Sequence, residues 1–337
     1  PSDPTDPTSP TGTDTAPTGT TPPPPGNFDA RCAAPGVVRC VGFDDPADLV
    51  GEWGDNHGTT PGTAAPALDP TQKASGASAL LFVIPSNSEA NSSGSWWTNF
   101  SDDLSVQFDG GDTFFVQWRQ RFSDALITTE YAGGGGFKQA IIGTGDEPGC
   151  TASNSANGLC ASSCTALEVV TYSYYQHGFP AQYNSCTGST SHSAYDGFFE
   201  PNGAYDFLLQ NARPDPGCRY SQGDTSYFPP DGNCFAYVAD EWMTFQVGIT
   251  LGPRVGDEFE GSRVRLWVAR EGQPSELVID WGPYNLTAGD AYDPEQRFGK
   301  VWLLPYNTGK DPSVAYPEAY TWYDELIVST VQVADPL

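Results

Sequence analysis

The sequence has few basic residues, a single methionine and no apolar run long enough to cross a membrane. It contains 15 lysines and arginines against 42 aspartates and glutamates, and its formal net charge is −27. A surface with this charge repels nucleic acid and anionic membranes. A membrane helix needs about 20 consecutive apolar residues. We therefore expect neither a nucleic-acid partner nor membrane insertion.

Helical periodicity is also missing, because no long segment repeats its apolar residues at helical spacing. The 37 glycines and 30 prolines are typical of strands joined by turns. Strands are predicted at residues 37–43, 79–84, 113–122, 137–143, 166–176, 241–251, 263–269, 276–281, 300–306 and 320–330. Strands at this density without intervening helices predict an all-β fold, an antiparallel jelly-roll β-sandwich.

The cysteine pattern argues against a zinc site and indicates an oxidising compartment. There are 8 cysteines without a CxxC pair and only 3 histidines, so no zinc site is expected. An even number points to disulfides and an oxidising environment, so we expect a secreted or surface-tethered protein. Local pairing predicts the bonds Cys32–Cys40 and Cys218–Cys234. The four middle cysteines can pair in three ways: Cys150, Cys160, Cys164 and Cys186.

Two segments differ from the strand-rich remainder. Apart from Ala16, residues 1–26 are proline, threonine, serine, aspartate and glycine, with four consecutive prolines at 22–25, which predicts a disordered, extended stalk. Residues 27–337 are predicted to form one jelly-roll domain. Within it, residues from about 186 to 234 are rich in glycine, serine and proline, and we interpret them as a long disulfide-pinned insertion. Long ordered loops on a rigid sandwich are a frequent place for binding.

The predicted strand 113–122 carries an unusual polar face. Residues 114, 116, 118, 120 and 122 share one face, and Gln117, Arg119 and Arg121 share the other. Two arginines on one strand face indicate a solvated concave surface. Because arginine binds carboxylates with two parallel hydrogen bonds, a uronic-acid polymer fits such a surface. The alternative is an ordinary polar outer face of an antiparallel sheet.

The second candidate segment begins with four glycines at 133–136 and continues with Phe137, Lys138 and Gln139. Lys138 is one of only four lysines, and it could neutralise a substrate carboxylate and acidify the neighbouring C–H bond. Gln139 is a candidate for substrate binding. The glycine run predicts either a hinged lid or a plain hairpin loop.

The third candidate segment is the strand around residue 170. Strand alternation places Glu168, Tyr172 and Tyr174 on one face. Tyrosine can act as base and acid in β-elimination, although aromatic packing alone would also explain these residues. His177 and Tyr183 follow; His177 is a candidate base or a solvated loop residue, and Tyr183 and Glu168 are candidates for substrate binding.

Other chemistries fit the sequence less well. Glu168 is alone on its strand, so the paired carboxylates of a glycoside hydrolase are not evident. No G-x-S-x-G nucleophile elbow occurs. The acidic segments 44–45 and 109–112 are either turns or structural calcium sites. We expect no cofactor other than such a calcium ion.

Three segments carry a resemblance to a known superfamily. They are Val-Gly-Phe-Asp at 41–44, Ser-Gly-Ala-Ser-Ala-Leu at 75–80 and the closing strand at 320–330. Together they resemble the concanavalin A-like lectin/glucanase superfamily. Within it, Gly-Phe-Lys-Gln at 136–139 followed by Tyr-Ser-Tyr at 172–174 looks like the jelly-roll polysaccharide lyases of the alginate and glucuronan type.

This resemblance implies that Lys138 neutralises a uronate, while Tyr172 or Tyr174 removes a proton and protonates the leaving oxygen. The arginine that those lyases carry between the lysine and the tyrosines is missing, so Arg119 or Arg121 would replace it. The resulting expectation is an extracellular, monomeric polysaccharide lyase acting on a uronate-containing glycan. The alternatives are a non-catalytic glycan-binding or adhesion domain and a glycoside hydrolase that uses Glu168. The net charge of −27 opposes a polyanionic substrate unless basic residues cluster in the cleft.

Overall fold

The computed structural model describes residues 25–50, 57–60, 62–132, 136–145, 167–174, 178–184, 206–208, 210–213, 234–256, 258–287, 297–307 and 309–337. Strands dominate these residues. The strands are β1 (Val37–Val41), β2 (His57–Thr60), β3 (Ala67–Asp69), β4 (Ala79–Ile84), β5 (Ser95–Asn99), β6 (Thr113–Phe122), β7 (Lys138–Thr144), β8 (Glu168–Tyr174), β9 (Phe179–Asn184), β10 (Asp206–Leu208), β11 (Trp242–Thr250), β12 (Arg254–Val255), β13 (Glu258–Ala269), β14 (Glu276–Thr287), β15 (Phe298–Leu303) and β16 (Ala319–Ser329). The helical elements are α1 (Phe28–Cys32), α2 (Asp124–Thr128) and a 3₁₀ turn (Pro46–Asp48).

The strands form two antiparallel sheets. The nine-stranded sheet has the order β12-β13-β11-β6-β16-β4-β3, with β14 paired to β13 and β1 paired to β16. The seven-stranded sheet has the order β10-β9-β8-β7-β15-β5-β2. Several neighbours, such as β6 with β16 and β5 with β15, come from distant parts of the sequence, as in jelly-roll topologies. This arrangement confirms the predicted all-β antiparallel sandwich.

The core lies between the two sheets and follows from strand alternation. On β6, residues Phe114, Val116 and Trp118 point into the core, as the alternating pattern predicts. Alternate residues of β7, β8 and β15 do the same from the seven-stranded sheet, and Ile142 and Val169 are examples. Burial of these side chains at about 25 cal/mol per Å² of apolar surface is the main force that holds the sheets together.

The outer face of the nine-stranded sheet is covered by both ends of the described chain. Arg31 of α1 donates to Gln117 on β6 at 2.5 Å and forms an ion pair with Glu325 on β16. Gln246 on β11 exchanges two hydrogen bonds with the backbone of Val333. The predicted disulfide Cys32–Cys40 is present and ties α1 to β1. The centre of the outer face of this sheet, around Gln117, Arg119 and Gln246, is therefore buried.

Other predictions fall outside the described residues. These are the stalk up to residue 24, most of the insertion at 186–234, the pairing of the middle cysteines and the bond predicted for Cys218 with Cys234. Among the described residues, no helix is both long and apolar enough to cross a membrane.

Candidate functional site

A row of apolar and aromatic side chains crosses the outer face of the seven-stranded sheet. The strand register aligns the members of this row directly, one from each of β5, β15, β7, β8 and β9: Trp97, Trp302, Ile141, Val170 and Tyr183. They form a hydrophobic cluster separate from the core between the sheets. We call this cluster the outer aromatic row. Two tyrosines, Tyr172 and Tyr306, pack against it.

One side of the outer aromatic row carries a lysine and a carboxylate. Lys300 on β15 pairs with Gly143 on β7, which in turn pairs with Glu168 on β8. The Lys300 Nζ atom lies 4.5 Å from the ring centroid of Trp97 and 4.9 Å from that of Trp302. Burial lowers the pKa of Lys300 well below its usual range. A cation held against two indole faces is a cation–π arrangement.

The other side of the row carries Lys138 and Tyr172, which pair directly across β7 and β8. Opposite residues in an antiparallel pair have their Cβ atoms about 4.5–5.5 Å apart. The Lys138 Nζ atom lies 5.8 Å from the ring centroid of Tyr183 and 5.3 Å from that of Tyr306. The rings of Tyr172 and Tyr183 meet edge to face at 5.1 Å. Lys138, Tyr172 and Tyr306 are half-buried, so the face is accessible at this end.

The local sequence explains the close approach of β7 and β8 here. A Cβ atom on Gly136 would lie 1.9 Å from the Ser173 carbonyl oxygen, so this position accepts only glycine. Phe137 N–H then donates to Ser173 Oγ at 2.8 Å, and Ser173 N–H donates to the Phe137 carbonyl at 2.8 Å. These bonds fix the start of β7 next to Tyr172.

Burial lowers the pKa of Lys138, and the charge of Glu168 offsets part of this effect by raising it. The lowered pKa indicates that the fold has already removed part of the water around the Lys138 ammonium group. An incoming carboxylate gains more from such a cation than from one in bulk water, since less water screens the pair. The geometry therefore suits recognition of an anionic group next to an aromatic surface.

The structure places four of the residues predicted as site members on this face: Lys138, Tyr172 and Tyr183 are in contact on one side of the row, and Glu168 lies on the other side. Tyr174 continues β8 next to them, and its backbone alone is described. His177 and the glycines at 133–135 lie outside the described residues.

The prediction that Gln139 binds substrate is wrong. Its side chain is completely buried on the inner side of β7. There it donates to Gln120 Oε1 at 2.9 Å and accepts from the Tyr237 hydroxyl at 2.5 Å. The side chain therefore belongs to the interior between the sheets.

The solvated concave face predicted from Gln117, Arg119 and Arg121 is also wrong. These residues share the outer face of the nine-stranded sheet, as predicted, but Gln117 and Arg119 are buried there. Arg119 lies 3.8 Å from Glu325, and Arg121 pairs with Asp240 at 3.4 Å. Both sheets separate them from Lys138, so neither arginine can replace the missing arginine beside it.

Sequence reasoning missed Lys300, Trp97, Trp302 and Tyr306. A signal was present, because Lys300, Trp302 and Leu304 alternate along one strand and so share a face. Trp97 lies in the strand 95–99, which was not predicted. Its place beside Trp302 depends on a pairing between strands that are about 200 residues apart in sequence, which alternation does not reveal.

The acidic segments considered for calcium have other partners. The Asp109 carboxylate pairs with Arg254 at 2.9 Å and with Arg297 at 3.3 Å. The Asp44 carboxylate accepts from the backbone N–H groups of Ala77 and Ser78. No group of three or more metal-ligating side chains occurs among the described residues.

Comparison with solved structures identifies the same fold in an enzyme. The chain is similar to the PL-14 alginate lyase from Aplysia kurodai, with a TM-score of 0.51 and 11% identity over 88% of this chain and 99% of the lyase. The alginate lyase vAL-1 from a Chlorella virus has a TM-score of 0.41 and 11% identity over 78% of this chain and 89% of the lyase. The binding domain of botulinum neurotoxin serotype C1 has a TM-score of 0.36 and 6% identity over 80% of this chain and 45% of that domain's chain. No protein-family model matches the chain, and no curated protein is detectably similar to it in sequence.

The first of these likenesses supports the resemblance to the alginate lyase fold that the sequence motifs indicated. At 11% identity it is a likeness of fold alone.

Proposed function

We propose that the chain is a polysaccharide lyase that cleaves a uronate-containing glycan by β-elimination on the outer face of the seven-stranded sheet. The observation that carries the proposal is the direct pairing of Lys138 with Tyr172 at the accessible end of the outer aromatic row. The fold likeness to an alginate lyase supports the choice of a polyuronate as substrate class.

In the proposed reaction, Lys138 binds the carboxylate of the uronate. Elimination requires loss of the proton on the carbon that bears this carboxylate (C5), and negative charge then spreads onto the carboxylate. A lysine held in a partly desolvated site stabilises that charge in the transition state more strongly than water does. Lys138 would thus act as an electrostatic catalyst.

Tyr172 would carry the proton. Its deprotonated oxygen takes the C5 proton, and the electron pair of that C–H bond forms the C4=C5 double bond. The bond between C4 and the glycosidic oxygen breaks, and this oxygen receives the proton back from Tyr172. The products are an unsaturated uronate and a new reducing end, and Tyr172 returns to its starting state.

The position of Lys138 bears on how an acidic protein could bind a polyanion. The chain carries a net charge of −27, but Lys138 is half-buried on this face and directs its ammonium group towards Tyr183 and Tyr306. Within a Debye length of about 8 Å, local cations dominate over distant surface carboxylates at physiological ionic strength. A polyuronate can therefore bind this face despite the overall charge.

A second candidate function is glycan binding without catalysis. The half-buried rings of Tyr172 and Tyr306 favour it, because phenol rings stack on sugar rings. A glycoside hydrolase receives less support, since Glu168 is the only carboxylate among the described strand side chains of this face. Two carboxylates about 5–10 Å apart would be needed.

The disulfide Cys32–Cys40 supports an extracellular location, since such bonds persist in oxidising compartments. We propose that the protein acts outside the cell, either secreted or tethered to a surface.

The test is incubation of the protein with alginate, glucuronan, pectate and neutral glucans, monitored by the ultraviolet absorbance of the unsaturated uronate and by a reducing-end assay. We expect both signals to rise with at least one polyuronate. Lys138→Ala and Tyr172→Phe should each lower the rate by about 100-fold or more.

Matched controls are Lys73→Ala and Tyr320→Phe, which change an exposed lysine and a half-buried tyrosine that lie away from this face. Both should keep the native rate. New reducing ends without the absorbance would instead indicate hydrolysis and direct attention to Glu168. If neither signal rises and the protein is retained on an immobilised glycan, it is a binding module.

A further inference from the structure

The start of β7 contains one residue more than the strand beside it. Lys138 pairs with Tyr172, but Ala140 pairs with the next residue, Thr171, so Gln139 is an extra residue in the pairing. This is a β-bulge, a feature that turns side chains to new directions and is frequent near active sites.

The bulge determines which side chain reaches the candidate site. Residues two apart in a regular strand share a face. Ile141 lies in the outer aromatic row, so in a regular strand residue 139 would point outward and residue 138 would point inward. With the bulge, Lys138 lies on the outer face and Gln139 lies in the interior. One extra residue therefore exchanges a glutamine for a lysine at the site.

The bulge is held from beneath by hydrogen bonds to Gln139. Its carbonyl oxygen accepts from the Tyr323 hydroxyl at 2.9 Å and from Leu304 N–H at 3.2 Å. Its side chain donates to Gln120 and accepts from the hydroxyl of Tyr237. The three side chains that contact Gln139 come from β6, β16 and the segment before β11, so the bulge is anchored to the opposite sheet.

The same network reaches the second candidate catalytic residue. The Tyr237 hydroxyl lies 3.3 Å from the backbone oxygen of Tyr172. On the far side, Gln120 donates to Thr321 Oγ1 at 3.0 Å and accepts from the Trp118 indole at 3.2 Å. The network thus links the backbone beneath Lys138 and Tyr172 to the rigid centre of the nine-stranded sheet.

A polar network in this position needs an explanation other than stability. Gln120, Gln139 and Tyr323 are completely buried in an interior that is otherwise lined by apolar side chains. Replacing buried polar groups with well-packed apolar ones is often neutral or stabilising, whereas a fully satisfied network fixes one arrangement. Burial raises the pKa of Tyr237 and Tyr323 well above the usual range, so both hydroxyls stay protonated as donors.

We propose that Gln139 is a positioning residue, and that Tyr237 and Tyr323 lock its bulge so that Lys138 projects onto the outer aromatic row opposite Tyr172. The expected effect on kcat rests on the proposed lyase function, whereas the expected effect on the position of Lys138 does not. Two readouts are therefore needed, one of them independent of turnover.

The variants are Tyr237→Phe, Tyr323→Phe and their combination, which remove the hydroxyls and keep the rings. With a polyuronate substrate, we expect the double variant to lower kcat by about 100-fold, because a displacement of about 1 Å at a reacting group has an effect of this size. KM should change much less, since the half-buried rings of Tyr172 and Tyr306 are kept.

The second readout is the rate of reductive methylation of Lys138 as a function of pH, followed by mass spectrometry of the peptide. Burial and the charge of Glu168 set the pKa of Lys138 in the native chain. When the bulge is released, the lysine becomes more exposed, so its pKa should rise towards the ordinary value of a lysine and its labelling profile should shift to higher pH.

The matched control is Gln246→Leu, which removes a buried glutamine bonded to Val333 on the far face of the other sheet. It should lower the melting temperature and leave both kcat and the labelling profile unchanged. A double variant with native kcat and a native labelling profile would overturn the proposal. If the native chain has no lyase activity, the labelling profile still tests whether the network positions Lys138. If the double variant does not fold, the two single variants test the same point, with smaller expected shifts in the labelling profile.

Discussion

The two outer faces of the sandwich both bury positive charge, but they surround it differently. On the nine-stranded sheet, Arg31 pairs with Glu325, and Arg119 lies 3.8 Å from the same carboxylate and 3.6 Å from Glu271. Terminal segments of the chain cover this face. Each guanidinium here has a carboxylate of the protein itself as partner, so this charge is used to attach the cover to the sheet.

On the seven-stranded sheet, the buried cations are lysines that lie against rings. Lys300 contacts Trp97 and Trp302, and Lys138 contacts Tyr183 and Tyr306. Burial lowers the pKa of both lysines. A cation over an aromatic face is stabilised by about 0.5–2 kcal/mol. The comparison indicates that buried charge on one face serves cohesion; on the other face, the proposed function assigns the half-buried Lys138 to recognition of a carboxylate.

The largest expected effect that tests this comparison is on stability. Arg31→Met leaves the buried Glu325 carboxylate with only the more distant Arg119, so the free energy of unfolding should fall by about 3–5 kcal/mol. Lys138→Met removes a desolvated cation from the other face, so it should leave the free energy of unfolding unchanged or raise it. Urea unfolding of both variants measures these changes.

Activity should respond in the opposite order. Arg31→Met should keep the native kcat on a polyuronate at temperatures where it is folded, whereas Lys138→Met should be inactive. An equal loss of stability in the two variants would contradict the distinction between the two faces.

The sequence predicted most of the strands that form the two faces, because strands follow from the local alternation of apolar and polar residues. All ten predicted strands overlap strands of the structure, and the strand 113–122 has the predicted bounds and the predicted alternation. The choice of Lys138 and Tyr172 as members of one site followed from a resemblance rather than from spacing, and their direct pairing is seen only in the structure. The missed strands are short or interrupted; β9, for example, contains Pro180, which is unusual within a strand.

The sequence alone could not predict what covers each outer face of the sandwich. Arg119 and Lys138 each alternate correctly along their strands, and alternation says nothing about what lies above a face. The cover over Arg119 comes from residues about 90 positions earlier and 200 positions later, a set of non-local contacts. The bulge at Gln139 is equally non-local, because its partners Tyr237 and Tyr323 lie on distant segments.

A second prediction concerns Asp324, which lies beside Glu325 on the covered face. It is buried and accepts from the backbone N–H groups of Ala74 and Ser75 at 2.8 and 3.2 Å. Burial raises the pKa of Asp324 from 3.8 to about 7. The folded state therefore holds this proton more tightly than the unfolded state does. Its contribution to stability is complete below about pH 4 and is lost as the pH rises to about 7, a change of at most about 4 kcal/mol.

The measurement is the free energy of unfolding in urea between pH 4 and pH 7 for the native chain and for Asp324→Asn. Since the amide does not titrate, the native curve should fall relative to that of the variant across this interval. Parallel curves would mean that Asp324 titrates normally and that the cover over this face excludes less water than its burial indicates.

The smallest expected effect concerns the disulfide Cys32–Cys40, which fastens α1, and with it Arg31, over the nine-stranded sheet. Its loop spans a sequence separation of 8, for which the chain-entropy relation gives a stabilisation of about 2.5 kcal/mol. The double variant Cys32→Ser and Cys40→Ser should therefore lose about this much free energy of unfolding. Hydrogen exchange should rise first in α1 and β1, because α1 is then no longer cross-linked to β1. The labelling profile of Lys138 should not change, since both sheets separate it from the disulfide; a shift in that profile would show that the two faces are coupled through the core.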